Sequence, residues 1–160
     1  NAGNEKMYYS IGAHPGFMIP AGGTKEDYYI EFPGRDDLSY ISVNLDSGFI
    51  AADKVFKLET ENGFIKYEDT IPDTWIFDFQ NIETVRIARP DKTPAITMNC
   101  GQFPLLAVWA NPEGTFICLE PWFGRSDNDG FTGTIDEKVA EQQLEAGETK
   151  KISHTVEFHK

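Results

Sequence analysis

Apolar and polar residues alternate along several short runs of this chain, as is typical of β-strands with one buried face. The alternation is present in residues 28–32, 84–89 and 96–100. It is clearest near the carboxyl end, where apolar or aromatic side chains occupy every second position: Ile152, His154, Val156 and Phe158. Each of these four runs is therefore predicted to be a strand that places one face on a core.

Turn residues separate the predicted strands. Glu61-Asn62-Gly63 lies between apolar runs at 55–60 and 64–67 and predicts a tight hairpin. Residues 136–145 are the best helical candidate, although a loop with one helical turn fits their few apolar positions equally well. Short strands at this spacing predict an all-β fold, an antiparallel sandwich or barrel.

Composition limits the classes of partner. The chain has 160 residues, 40% of them hydrophobic and 13% aromatic, which is typical of one globular domain. Its formal net charge of -12 repels a phosphate backbone, so we expect no nucleic-acid partner. No apolar run approaches the ~20 residues that cross a bilayer, so we expect a soluble protein without a membrane partner.

The two cysteines and the amino terminus bear on compartment and origin. Cys100 and Cys118 lie in strand-like runs, which indicates buried thiols in a reducing compartment, and we expect a cytoplasmic protein. A single disulfide remains an alternative. Residues 1–2, Asn-Ala, resemble the remnant of a cleaved tag, so the domain is assigned to residues 3–160.

His14 is the first candidate for chemistry. It lies in the segment Gly12-Ala13-His14-Pro15-Gly16. A proline disfavours helical geometry at the preceding residue, so His14 lies on a strand end or in a loop, where a fixed backbone can aim the ring. The alternative is a structural histidine bonded to a nearby carbonyl, and the local sequence favours neither interpretation.

Glu120 is the second candidate. Strand alternation places Phe116, Cys118 and Glu120 on one face, so the carboxylate lies among apolar groups. Burial of this kind raises the pKa of a glutamate toward the range useful for general acid–base catalysis. Alternatively, Glu120 precedes Pro121 at a strand end and reaches solvent, which the local sequence favours slightly.

Asp73 is the third candidate, because a carboxylate beside Trp75 can bond sugar hydroxyls while the ring packs on a pyranose face. An aspartate after a proline is also an ordinary turn residue, and that interpretation is the commoner one. Motifs for phosphate loops, zinc sites, dinucleotides and nucleophile elbows are absent from the sequence, and the three histidines are not spaced as metal ligands. We therefore expect no cofactor and no metal.

Taken in order, these segments resemble the aldose 1-epimerase (galactose mutarotase-like) superfamily, and in particular its LacX-like branch. The similarity runs from about Met7 to the end of the chain. It comprises residues 10–15, 73–77, 103–109 and the segment Cys118-Leu119-Glu120-Pro121-Trp122-Phe123-Gly124, followed by Asp127 and a closing segment through Gly147-Glu148.

The resemblance implies an antiparallel β-supersandwich that interconverts the α and β anomers of a hexose. In such a protein a glutamate removes the proton of the anomeric hydroxyl and a histidine protonates the ring oxygen, roles that carry over to Glu120 and His14. The resemblance also implies that Asp73, Trp122 and Arg125 contact the sugar.

The resemblance covers only the second half of such proteins, which are roughly twice as long and whose first half supplies another histidine and an arginine. We therefore expect a truncated form with an incomplete sugar site and with exposed strand edges that favour a homodimer. Two other functions remain open at this point. One is a non-catalytic carbohydrate-binding sandwich, and the other is a hexose-6-phosphate epimerase in which Arg125 meets the phosphate.

Overall fold

The computed structural model describes residues 1–19, 23–67, 74–111 and 113–160, which form two packed antiparallel sheets and two smaller strand pairs. The strands are β1 (Met7–Tyr9), β2 (Ile11–Gly12), β3 (Gly16–Met18), β4 (Tyr29–Glu31), β5 (Ser39–Tyr40), β6 (Phe56–Lys57), β7 (Phe64–Lys66), β8 (Thr74–Asp78), β9 (Thr84–Ala88), β10 (Pro94–Asn99), β11 (Leu105–Trp109), β12 (Phe116–Phe123), β13 (Gln142–Leu144) and β14 (Thr155–Phe158). Two short 3-10 helices span Lys25–Asp27 and Ile135–Glu137. The predicted all-β antiparallel class is confirmed.

The two main sheets face each other across the core. The back sheet has the order β14-β10-β9-β4-β7, and the front sheet has the order β2-β12-β11-β8, with β3 also paired to β12. Alternate residues of both sheets meet between them, as the period of a strand requires. Ile30, Val85 and Met98 reach this core from the back sheet, and Val108 and Leu119 reach it from the front sheet.

Part of the second face of the front sheet is buried as well, which explains the continuous apolar runs of its strands. A second apolar cluster of Ile41, Ile50, Ile76 and Ala107 covers part of that face. Ile41 and Ile50 belong to the segment between β5 and β6, which is held in place by β-bridges from Ile41 to Ile76 and from Ile50 to Asn128. The side of the front sheet that carries Ile76, Ala107 and Glu120 is called the site face below.

Most sequence-predicted strands are confirmed. Residues 28–32 and 84–89 contain β4 and β9, and residues 96–100 overlap β10, which begins two residues earlier; Ile30, Val85 and Met98 are fully buried. Only the second part of the final run forms a strand, β14 (Thr155–Phe158), and in it Phe158 is 71% exposed instead of buried. Strand β14 lies at the edge of the back sheet, where the Phe158 ring meets the Phe17 ring of β3 edge-on, with centroids 6.2 Å apart, and leaves most of its surface in solvent.

The predicted turn at Asn62-Gly63 is confirmed, whereas the predicted pairing of residues 55–60 with residues 64–67 is wrong. Both residues have positive φ, 53° and 82°, and Glu61 and Phe64 exchange two backbone hydrogen bonds across the turn. Beyond this bridge, β7 pairs with β4, and β6 pairs with β5. Non-local pairing therefore overrides the local hairpin.

The predicted helix at 136–145 is wrong, and the alternative of a loop with one helical turn holds only for the first part of the segment, because residues 142–144 form a strand. The 3-10 turn Ile135–Glu137 is followed by β13, which pairs with β1 in the register Tyr8 to Gln143. Tertiary pairing with β1 decides the conformation here, where few apolar positions support a helix. Both cysteines are free and buried, so the disulfide alternative is excluded. No helix in the described part of the chain is long and apolar enough to span a membrane.

Candidate functional site

Glu120 lies in the middle of the front sheet with its side chain on the site face. Strand β12 pairs with β11 in the register Glu120 to Ala107, and with β2 and β3 on its other side. The glutamate side chain is only 2% exposed. The sequence-based expectation that this carboxylate lies among apolar groups therefore describes the structure, and the strand-end alternative does not.

His14 lies directly opposite Glu120 because β2, before it, and β3, after it, pair with β12 in the same antiparallel register. Gly12 pairs with Trp122, and Gly16 pairs with Cys118, which aligns position 14 with position 120. Because residues two apart along a strand share a face, the His14 side chain points to the site face together with the side chains of Cys118, Glu120 and Trp122. The histidine Nε2 lies 3.2 Å from Glu120 Oε1, and its ring is 61% exposed.

Burial makes Glu120 an unusual carboxylate. Desolvation raises the pKa of Glu120 from 4.5 to about 7, and a hydrogen bond from the Trp122 side chain acts weakly in the opposite direction. Burial, with the Glu120 charge as a second cause, also raises the pKa of the neighbouring Cys118 thiol to about 11. The site therefore pairs an exposed imidazole with a buried carboxyl group that changes protonation near neutral pH.

Aromatic rings flank the pair. The Trp109 ring meets the His14 ring edge-on, with centroids 5.9 Å apart, and it also contacts Phe116 at 5.8 Å. Trp109 pairs with Cys118 across the ladder, so its indole reaches the site face beside Glu120. The imidazole is thus held against an aromatic wall on one side and faces solvent on the other.

Two glycines allow aromatic side chains to pack closely on the strands that flank His14. A Cβ at Gly12 would lie 2.4 Å from Trp122 Cδ1, and a Cβ at Gly16 would lie 3.1 Å from Phe116. Any larger residue would therefore displace an aromatic side chain. A groove of about 310 Å³ runs next to these positions and is lined by His14, Trp122 and Arg125, among others.

Arg125 lies in this groove but is already engaged. Its side chain is 2% exposed and binds the Asp78 carboxylate through Nε and Nη2, at 2.7 Å for the shortest bond. Its Nη1 donates to Asn128 Oδ1 and to the Ser126 carbonyl. The guanidinium charge is thus neutralised by Asp78, which orders the turn after β12.

The structure brings together His14, Glu120 and Trp122, and it places Arg125 along the same groove. Asp73, the fourth expected sugar contact, lies outside the described residues. Sequence reasoning missed the contribution of Trp109 to the site. Its place on the same face as Leu105 and Ala107 follows from strand period, but only the pairing of β11 with β12 brings it to His14.

No family model matches the sequence, and no curated protein matches it. Solved structures do match its fold. A galactose mutarotase related enzyme from Lactobacillus acidophilus aligns with a TM-score of 0.84 at 21% identity, over 98% of this chain and 54% of that one. A galactose mutarotase-like protein from Lactobacillus casei aligns with a TM-score of 0.82 at 25% identity, over 99% and 56%.

A third match, a galactose mutarotase-like protein from Clostridium acetobutylicum, has a TM-score of 0.62 at 15% identity and covers 98% of this chain and 47% of that one. The chain therefore has the galactose mutarotase-like fold, as the sequence resemblance predicted. It spans about half the length of the solved chains that it matches.

Proposed function

We propose that this chain carries the acid–base pair of an aldose 1-epimerase, which interconverts the α and β anomers of a hexose. The observation that supports this function best is the 3.2 Å approach of His14 Nε2 to Glu120 Oε1 on the site face. Ring opening needs a base at the anomeric hydroxyl and an acid at the ring oxygen. Because both oxygens are bonded to C1, the two catalytic groups must themselves be close neighbours.

The opening step assigns one proton transfer to each residue. The ionised Glu120 accepts the proton of the anomeric hydroxyl while protonated His14 donates its Nε2 proton to the ring oxygen. The bond from C1 to the ring oxygen breaks, and its electron pair stays on that oxygen, which becomes a free hydroxyl. The product is the open-chain aldehyde, with Glu120 protonated and His14 neutral.

Ring closure uses the same pair in reverse. After C1 rotates about the C1–C2 bond, the hydroxyl attacks the other face of the aldehyde and returns its proton to His14. Glu120 gives its proton to the aldehyde oxygen, which becomes the new anomeric hydroxyl. A pKa of about 7 suits Glu120 to both directions, because neither protonation state is strongly favoured at neutral pH.

The surroundings of the pair fit a pyranose. Trp109 and Trp122 offer indole surface beside His14, and an apolar ring face of a sugar packs well on such surface. Asp73 remains the expected ligand for a sugar hydroxyl. The His14 side chain is 61% exposed, which leaves the pair accessible to a substrate from solvent.

A hexose 6-phosphate is the less favoured substrate. Arg125, the cation expected to meet a phosphate, is already neutralised by Asp78 and bonded to Asn128. The formal net charge of -12 further repels a dianionic ligand. A neutral hexose meets neither obstacle.

Polarimetry tests the proposal. Freshly dissolved α-galactose and α-glucose should equilibrate faster with the chain than in buffer alone, and Glu120→Gln and His14→Asn should each lower the acceleration by about 100-fold or more. Glu5→Gln is the matched control, because Glu5 is exposed and lies outside the strands that position the pair. Sugar binding without any acceleration would instead support a non-catalytic carbohydrate-binding sandwich.

A further inference from the structure

We propose that His14, Cys118 and Glu120 form a binding site for a zinc-like divalent cation on the site face. One ligand atom from each residue, a ring nitrogen, a thiol sulfur and a carboxylate oxygen, lies within 4.8 Å of the other two. The sequence did not predict a metal site, because the three residues lack any short-range metal-binding spacing. The strand pairing of β12 with residues 12–16 brings them together.

The backbone fixes the three positions. Cys118 and Glu120 are two residues apart on β12, so both side chains point to the same face. His14 faces them from the neighbouring segment, which is held by backbone bonds from Ala13 to Pro121 and from Leu119 to Pro15. The three ligand atoms would need to move closer to one another, by a few tenths of an ångström to about one ångström, to reach the spacing of ligands around a zinc ion.

The chemistry of the three ligands selects the metal. A thiolate, an imidazole and a carboxylate together suit Zn²⁺, whereas Mg²⁺ and Ca²⁺ prefer oxygen ligands alone. Formation of the bond between the metal and Cys118 Sγ breaks the S–H bond, and the proton passes to the buffer. The Trp122 hydrogen bond to Glu120 is the kind of outer contact that orients a ligating carboxylate.

The fourth coordination position is open. Three protein ligands with one free position are the usual arrangement of a zinc ion that also binds water. Gly16 lies opposite Cys118 and has no side chain, and a Cβ there would come 3.5 Å from the sulfur. The ion would enter past His14, whose ring is 61% exposed.

The bound cation would compete with the chemistry. It would occupy Nε2 of His14 and an oxygen of Glu120, the atoms that hold and move the proton in ring opening. Metal binding and anomer interconversion would therefore be mutually exclusive, and Zn²⁺ would inhibit the chain. This regulatory consequence rests on the proposed function, whereas metal binding itself does not.

Cobalt spectroscopy tests the site directly. Titration of the chelator-treated chain with Co²⁺ is expected to give one equivalent of bound metal, visible d–d bands typical of tetrahedral coordination and a near-ultraviolet band from sulfur-to-cobalt charge transfer. Zn²⁺ should displace the cobalt and remove all of these bands. Cys118→Ala should abolish the charge-transfer band and weaken Zn²⁺ binding by at least about 100-fold.

Two further variants keep the test decisive. Cys100→Ala is the matched control, because Cys100 is the other buried free thiol and lies in the core between the sheets; it should retain every band. His14→Asn changes an exposed side chain and should weaken binding while the thermal melt stays that of a folded protein. Absence of the charge-transfer band, or its retention in Cys118→Ala, overturns the proposal.

The two proposals fail independently. A cobalt spectrum from a chain that does not accelerate mutarotation in chelator leaves the metal site standing and removes the enzyme. If the chain accelerates mutarotation in chelator, is not inhibited by Zn²⁺ in chelator-free buffer and gives no cobalt spectrum, the metal site is removed and the enzyme stands.

Discussion

The burial of Glu120 predicts a pH-dependent difference in stability between the wild-type chain and Glu120→Gln. The carboxyl side chain is 2% exposed, and desolvation raises its pKa from 4.5 to about 7. The native state therefore favours the protonated form more than the unfolded state does. Glutamine is close to isosteric and stays uncharged at every pH, so it reports on the charge alone.

The direction of the pH effect on stability follows from the linkage between protonation of Glu120 and folding. Below the unfolded pKa of 4.5 both states are protonated, and Glu120 costs the native state nothing. As pH rises through the folded pKa of about 7, the unfolded state ionises first and the native state loses stability relative to it. The full loss corresponds to about 3 kcal/mol, of which about 2 kcal/mol falls between pH ~5.5 and pH ~8.5.

Thermal unfolding at these two pH values, with a chelator present, measures the effect. Glu120→Gln should gain about 2 kcal/mol relative to the wild type on going to the higher pH, which is a relative rise in Tm of about 4–8 °C for a chain of this size. The exposed control Glu5→Gln should follow the wild type at both pH values. A difference between Glu120→Gln and the wild type that stays constant with pH would refute the reasoning.

Three other predictions concern the pair and the side chains around it. The acid limb of the pH profile for mutarotation should have its midpoint near the Glu120 pKa of about 7, because only the ionised carboxylate, which has His14 and Cys118 as titratable neighbours, accepts the anomeric proton; a profile without an acid limb would contradict this. Asp78→Asn should lower the free energy of unfolding in urea by about 3 kcal/mol, since it leaves the buried Arg125 charge unpaired, and a loss below ~0.5 kcal/mol would contradict it. Gly12→Ala should cost about 1–3 kcal/mol and change the fluorescence of Trp122, because the new methyl group would meet the indole at 2.4 Å; unchanged fluorescence would contradict it.

The two-residue period of β-strands allowed much of the fold to be predicted from the sequence. The alternation along 28–32, 84–89 and 96–100 predicted which side chains are buried, and the same rule placed Cys118 and Glu120 on one face. Such patterns are local, since the period of a strand is set by its own backbone. The turn at Asn62-Gly63 is equally local, because its two positive φ angles suit those residues.

What the sequence could not supply is the choice of partner strand. The pairing of β13 with β1 turned a helical candidate into a strand, and the pairing of β12 with residues 12–16 set His14 opposite Glu120. The engagement of Arg125 by Asp78 likewise joins residues 47 positions apart. These contacts depend on which segments meet in three dimensions, and no periodicity along the chain encodes that choice.

A double-mutant cycle in the polarimetric assay tests the central claim most directly, with the wild type, Glu120→Gln, His14→Asn and the double variant compared in chelator. An acid and a base whose two proton transfers occur in one concerted step fail together, so each single variant should lose nearly as much acceleration as the double variant. That result is the one predicted for the pair at 3.2 Å. Additive losses, or variants that equilibrate the sugar as fast as the wild type, would contradict a shared acid–base role for His14 and Glu120.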